Sequence, residues 1–227
     1  ESSIFFSWSF FFYHTSWRDD CKADKKSVFY IYMKTPVSLK SKIVVLPTDT
    51  LYGICTSAFD RPAVESIYEI KGRDENKPFI ILISKISDLE KFGISYSLIR
   101  ANKRILESVW PGKVSVILPL EKSSLKKFEY LHRGTGKLAF RLPRKKALLA
   151  YLKKSGPLVA PSANPQGEKP AESIAEAKKY FGTNVDLYIA GGRLVGSPST
   201  IIEIANDASV KLVRQGAVRV KYVTPSC

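Results

Sequence analysis

The run Ile43 to Gly53, IVVLPTDTLYG, constrains this chain more than any other stretch. Ile43, Val44, Val45 and Leu46 are apolar and mostly β-branched, which fits a strand buried on both faces better than a helix. Pro47 has no N–H to donate and ends the ladder. Thr48, Asp49 and Thr50 then stand at the strand's end, and Gly53 is free to take backbone conformations closed to other residues. Open α/β sheets place ligands at such strand ends.

The chain that follows alternates apolar strands with amphipathic helices. Asp60-Arg61-Pro62 reads as a helix entry, with a capping acid and a proline tolerated in the first turn, and Val64, Ile67, Tyr68 and Lys71 recur at helical spacing up to Gly72. Phe79 to Ile83 predicts the next buried strand, Ser95 to Val109 one helix, and Trp110-Pro111-Gly112 its end. Val114 to Leu118 and Lys137 to Leu142 read as strands, the second with Ala139 and Arg141 alternating with Leu138 and Phe140. Lys122, Lys126, Lys127 and Arg133 lie between them in a basic, loop-like excursion. A helix over Lys145 to Lys154, a strand over Leu158 to Ala160, a helix over Ser173 to Tyr180 and strands over Leu187 to Ala190, Thr200 to Ile204 and Val210 to Val213 complete the series. No repeat and no linker divides it, so the expectation is one α/β domain on a twisted sheet of mixed direction.

Residues 1–32 read differently. Their aromatics follow neither helical nor alternating period, the apolar part is too short to span a bilayer, and a secretory signal's basic start is missing. Four basic residues there (Arg18, Lys22, Lys25, Lys26) meet four acidic ones (Glu1, Asp19, Asp20, Asp24), so the whole net charge of +15 belongs to Met33 onward. We expect residues 1–32 to be an extension outside the domain, 33–220 to be the domain, and 221–227 a tail. That charge predicts phosphate-bearing partners, nucleotide or RNA. Cys21, Cys55 and Cys227 are too scattered for a zinc site or a disulfide framework, which makes a reducing cytoplasm the expected setting. No metal-ligating cluster and no membrane span is expected.

Three places share one design, in which an apolar strand ends at a proline or Ser-Pro turn and presents hydroxyl or amide groups: Thr48/Asp49/Thr50, Ser162/Asn164 and Ser199/Thr200. Lys71, Arg73, Arg141 and Arg214 supply cations able to neutralise phosphate or carboxylate. Together they suggest a cleft for a nucleotide and a small anion. His14 and His132 are the only histidines, and no Ser-His-Asp or Cys-His set is legible, which argues against covalent catalysis.

In their order, PTDTLYG at 47–53, KGR at 71–73, WPG at 110–112, RLP at 141–143, PSAN at 161–164, STIIE at 199–203 and RQG at 214–216 resemble the motif set of the threonylcarbamoyl-AMP synthases, the YrdC-like family. The resemblance runs from about Lys42 to Ala217 and implies a single α/β domain with helices around a basic central cavity. It implies that L-threonine, bicarbonate and ATP, accompanied by Mg²⁺, are converted to threonylcarbamoyl-AMP and pyrophosphate. A downstream transfer complex would then move the group to adenosine 37 of tRNAs that read ANN codons, with tRNA itself a possible partner. Residue by residue, it implies Lys71 and Arg73 on the ATP phosphates, Ser162, Asn164 and Arg214 around the adenylate, and Thr48, Arg141 and Ser199 around the threonine. Asp74, Leu82 and Ala171 depart from the pattern, where the family has a proline, a threonine-contacting histidine and a small hydroxyl residue. Two other readings stand beside this one: an RNA-binding module without chemistry, and the carbamoyl-adenylate-forming domain of a maturation factor. Because some members carry a further C-terminal domain, the short single-domain form is the expectation here.

Overall fold

The computed structural model describes residues 42–220, together with the backbone of a strand at Tyr30–Tyr32. That strand, β1, falls inside the segment expected to stand outside the domain, and residues 221–227 lie outside the described residues. Nine further strands follow: β2 (Val44–Pro47), β3 (Tyr52–Ser57), β4 (Ile80–Leu82), β5 (Val114–Pro119), β6 (Lys137–Arg141), β7 (Leu158–Val159), β8 (Leu187–Ala190), β9 (Thr200–Ile204) and β10 (Val210–Arg214). They join β1 in one sheet of order β1-β8-β2-β3-β7-β4-β6-β5-β9-β10. Its direction is mixed, with β4 parallel to β6 and β5 parallel to β9, while β2/β3, β3/β7, β5/β6 and β9/β10 run antiparallel.

The helices are α1 (Arg61–Lys71), α2 (Tyr96–Ala101), α3 (Lys103–Val109), α4 (Glu129–His132), α5 (Lys146–Ser155) and α6 (Ile174–Phe181). Helix α1 is capped as its sequence predicts, because the Asp60 carboxylate accepts from the Ala63 N–H and Gly72 closes the C-terminus in the left-handed region at φ 56°. The single helix expected over 95–109 is two. Asn102 donates its side-chain amide to the Leu98 carbonyl at 3.0 Å, and this competition with the backbone ladder separates α2 from α3. The expected basic loop contains a short 3₁₀ turn at Lys122–Ser124 and α4, and strand β3 was not foreseen at all.

Burial on both faces follows from the period of two along each strand. Val45, Ile54, Ile81 and Val159 enter the main core, whereas Val44, Leu46, Cys55, Leu82 and Leu158 pack on the other face under Leu148 and Leu152 of α5. In the β4-β6-β5-β9 half the alternation divides core from cavity. Leu138 and Phe140 of β6 and Ile202 and Ile204 of β9 point into the core; Lys137, Ala139 and Arg141, with Ile201 and Glu203, line a cavity on the opposite face. Among the described residues no helix is long and apolar enough to cross a membrane.

Candidate active site

The cavity has a volume of about 450 Å³ and is lined, besides the sheet residues, by the β2/β3 hairpin tip, Pro161-Ser162 and Pro198-Ser199. That size suits a nucleotide-sized ligand. The hairpin tip is ordered from within: the Thr48 hydroxyl donates to the Leu51 carbonyl at 2.6 Å and accepts from the N–H groups of Thr50 (3.1 Å) and Leu51 (3.2 Å). This side-chain-to-backbone turn turns Asp49 and Thr50 toward β6. There Arg141 Nη2 stands 3.2 Å from Asp49 Oδ1, and Nη1 donates to Thr50 Oγ1 at 3.1 Å. Arg141 is 4% exposed in its side chain, and its Nε has no hydrogen-bond partner. Burial pushes the guanidinium's pKa down, and the Asp49 carboxylate opposes that shift.

The PSAN stretch is joined to the hairpin by an isolated bridge between Gly53 and Ser162. A Cβ on Gly53 would come within 3.2 to 3.3 Å of Cys55 Sγ and the Pro161 carbonyl, so a glycine lets these backbones meet. Behind the stretch lies Lys71. Its ammonium is buried and donates to the carbonyls of Ser162, at 2.6 Å, and Asn164. Burial, aided by the like charge of Arg73, pushes its pKa down to about 7. Asn164 donates its amide to the carbonyls of Pro165 (3.0 Å) and Glu168 (2.7 Å), leaving Oδ1 buried without a partner.

Of the expected site residues, Thr48, Arg73, Arg141, Ser162, Ser199 and Arg214 line the cavity, whereas Lys71 and Asn164 stand behind its wall. Arg73 donates Nε to the Lys77 carbonyl at 3.2 Å and lies over the Phe79 ring. Arg214 donates to the Ser199 carbonyl at 2.8 Å, and Ser199 shares a hydroxyl contact of 2.9 Å with Ser115. Beside them Gly216 is pressed against the Pro198 and Ser199 backbone, where an added Cβ would meet their carbonyl oxygens at 2.4 and 2.5 Å. Neither Arg73 nor Arg214 forms an ion pair among the described residues; burial lowers the pKa of each, and the charge of Arg73 lowers that of Arg214 further. Glu203, an acid on the cavity wall, is paired with Lys137.

Sequence reasoning did not single out Ser115, Lys137 or Phe79 as site residues, and it grouped Thr50 with Thr48 at the cleft without giving it a ligand of its own. Ser115 sits mid-strand in an apolar run that gives no signal. The positions that depart from the family pattern are dispersed. Leu82 is fully buried in the core under α5, Ala171 is fully buried with its N–H on the Ala163 carbonyl, and Asp74 pairs with Lys77 at 3.2 Å in the turn after α1. His132 is used structurally: its Nε2 bonds the Leu125 carbonyl at 3.0 Å and its Nδ1 accepts from Gly134 and Gly136. Among the described residues no group of three or more His, Cys, Asp or Glu is placed to hold a metal ion.

A mixed sheet with a basic cavity lined by residues of six of its strands defines an α/β domain, and comparison with known proteins places it. The Sua5/YciO/YrdC family model, described as "Telomere recombination", matches residues 37–216, and the chain belongs to this family. It is 34% identical over 182 residues to the threonylcarbamoyl-AMP synthase of Bacillus subtilis, covering 79% of this chain and 51% of that protein. It is 30% identical over 190 residues to the Pyrococcus abyssi enzyme of the same name, covering 81% and 53%. The chain thus spans about half the length of these two relatives. Its fold is similar to P. abyssi Sua5 crystallised with L-threonine (TM-score 0.71, 27% identity, 82% of this chain and 55% of that one). It is also similar to E. coli YciO (TM-score 0.68, 25% identity, 81% and 87%).

Proposed function

We propose that this chain is a threonylcarbamoyl-AMP synthase, a nucleotidyltransferase that joins L-threonine, bicarbonate and ATP into threonylcarbamoyl-AMP and pyrophosphate. The observation that carries the reading is the convergence of Arg73, Arg141 and Arg214, from three separate stretches of chain, on one cavity of about 450 Å³. Among the described residues only one of the three has a carboxylate partner. Threonine occupies the space bounded by Thr48, Thr50 and Ser199, with its carboxylate toward Arg141. The triphosphate meets Arg73 and Arg214, whose positive charge awaits a polyanion. Phe79, Ile117, Ala139 and Ile201 offer the apolar surface a planar base requires, and Ser162, on the cavity wall, faces the adenylate. Lys71 and Asn164 hold the PSAN backbone in place from behind.

The threonine amine combines with bicarbonate, losing water, to give a carbamate. A carbamate oxygen then attacks the α-phosphorus of ATP, the bond to the bridging oxygen breaks, and pyrophosphate leaves. Such a step needs alignment and charge neutralisation rather than a protein nucleophile. Mg²⁺ arrives with the triphosphate, held by phosphate oxygens and water, and belongs to the substrate. The product's use by a tRNA-modifying transfer complex follows from this reading, and so does work in the cytoplasm. Purified protein supplied with MgATP, bicarbonate and threonine is expected to release pyrophosphate only when threonine is present. Equal release without threonine would remove the assignment.

A further inference from the structure

We infer that Arg133 and Tyr68, which lie outside the cavity, are positioning residues for Arg73, holding its guanidinium toward the nucleotide phosphates through the ring of Phe79. The inference rests on the assignment of Arg73 to those phosphates. Four planar groups are stacked in series. The Arg133 guanidinium carbon lies 4.0 Å from the Tyr68 ring centre, the Tyr68 and Phe79 rings are 3.9 Å apart at 21°, and the Arg73 guanidinium lies over Phe79 at 5.4 Å. Only the last two of these line the cavity.

The edges of the stack are tied as well as its faces. One carbonyl, that of Lys77, accepts both the Tyr68 hydroxyl and Arg73 Nε, each at 3.2 Å. Arg73, which lines the cavity, is therefore fixed by a ring face and by one edge, and neither contact uses its two terminal nitrogens. An arginine held in this way loses less rotamer freedom on closing around an anion than a free one does. The outer end of the stack is anchored too. Arg133 pairs with Glu65 of α1, stands 3.9 Å from Glu75, and donates its backbone N–H to the Glu129 carbonyl at 2.8 Å. Its φ of 48° is a left-handed conformation that non-glycine residues adopt sparingly, and its Nε is buried without a partner. The guanidinium so anchored lies over the Tyr68 ring. Cation–ring attraction depends on the cation sitting over the ring, so a displaced plane at Arg133 is passed along to Arg73.

A thermodynamic cycle on Arg133→Met, Arg73→Ala and the double variant tests this, read by equilibrium binding of MgATP and, separately, of inorganic pyrophosphate. Arg133→Met is expected to weaken both about 3- to 10-fold and to raise the apparent KM for ATP while leaving that for threonine unchanged. In the Arg73→Ala background the same change is expected to do nothing further. Tyr68→Leu should reproduce the loss, and Tyr68→Phe, which keeps the stack, should largely restore binding. Should the methionine variant not fold, Arg133→Lys serves, since it keeps the charge against Glu65 but not the plane. A loss of equal size in the Arg73→Ala background, or no loss in the parent, overturns the inference. Parent protein that binds pyrophosphate yet releases none from ATP with threonine would remove the proposed reaction and leave the cycle to judge the stack. Binding of neither ligand would overturn both.

Discussion

Arg141 and the pair Arg73 and Arg214 present the same side chain to one cavity in opposite circumstances. Arg141 is buried, matched by Asp49 and hydrogen-bonded to Thr50; Arg73 and Arg214 have backbone carbonyls for partners, and the charge of Arg73 bears on Arg214. A matched guanidinium can orient a zwitterion whose net charge is near zero without leaving excess charge when the ligand departs. Unmatched ones raise the local potential and attract a polyanion. Under the proposed function this difference would give the amino acid the matched side of the cavity and the phosphates the unmatched one.

The comparison is broken most severely at Arg141. Arg141→Met takes from the buried Asp49 side chain its ion-pair partner and leaves the more distant charge of Lys145, so unfolding free energy should fall by up to about 3–5 kcal/mol, measured by chemical denaturation. Adding Asp49→Asn should recover much of that loss. If Arg141→Met is as stable as the parent, the two guanidinium environments do not differ as described. Arg73→Ala should act the other way round, leaving the melting temperature nearly unchanged while threonine-dependent pyrophosphate release falls about ten- to a hundredfold, the worth of one charge-assisted phosphate contact. Arg73→Lys should be hardly better, because it keeps the charge and loses the planar fork.

A pH-dependent effect sharpens the comparison through Lys71, which lies behind the unmatched side. Its folded pKa of about 7 is depressed from the ordinary 10.5. Between those values only the unfolded chain keeps the proton, so the Lys71 contribution to stability should rise with pH above 7, by at most about 1.4 kcal/mol per pH unit. Below pH 7 both states are protonated and the contribution should be flat at its lowest. Denaturation of the parent and of Lys71→Met across pH 6 to 10 checks this; a difference that stays constant would mean that the two carbonyl contacts keep the ammonium charged.

Much of this architecture is legible in the chain because its signals are local. The Asp60 cap, the Gly72 stop and the alternation of Leu138 and Phe140 with Ala139 and Arg141 each follow from residues within one turn or one strand. Strand β3 escaped notice because Tyr52-Gly53 reads as the close of a loop, although Tyr52 to Cys55 lies buried against β2. The motif order placed cations and hydroxyls in one cleft, yet the direction of Lys71 was not legible. Whether a lysine at a helix end reaches a ligand or the carbonyls of Ser162 and Asn164 depends on where a segment some ninety residues later returns. The stack from Arg133 to Arg73 is hidden for the same reason.

Gly216 has a consequence for how this sequence can vary. Its α-carbon faces the carbonyls of Pro198 and Ser199 with no room for a single added carbon, and both flanking stretches present cavity residues, Ser199 and Arg214. The turn before β9 and the segment after β10 are consequently one locus in evolutionary terms. A substitution accepted in one must be tolerable to the backbone of the other, so the path open to mutation here is narrower than two short exposed stretches would suggest.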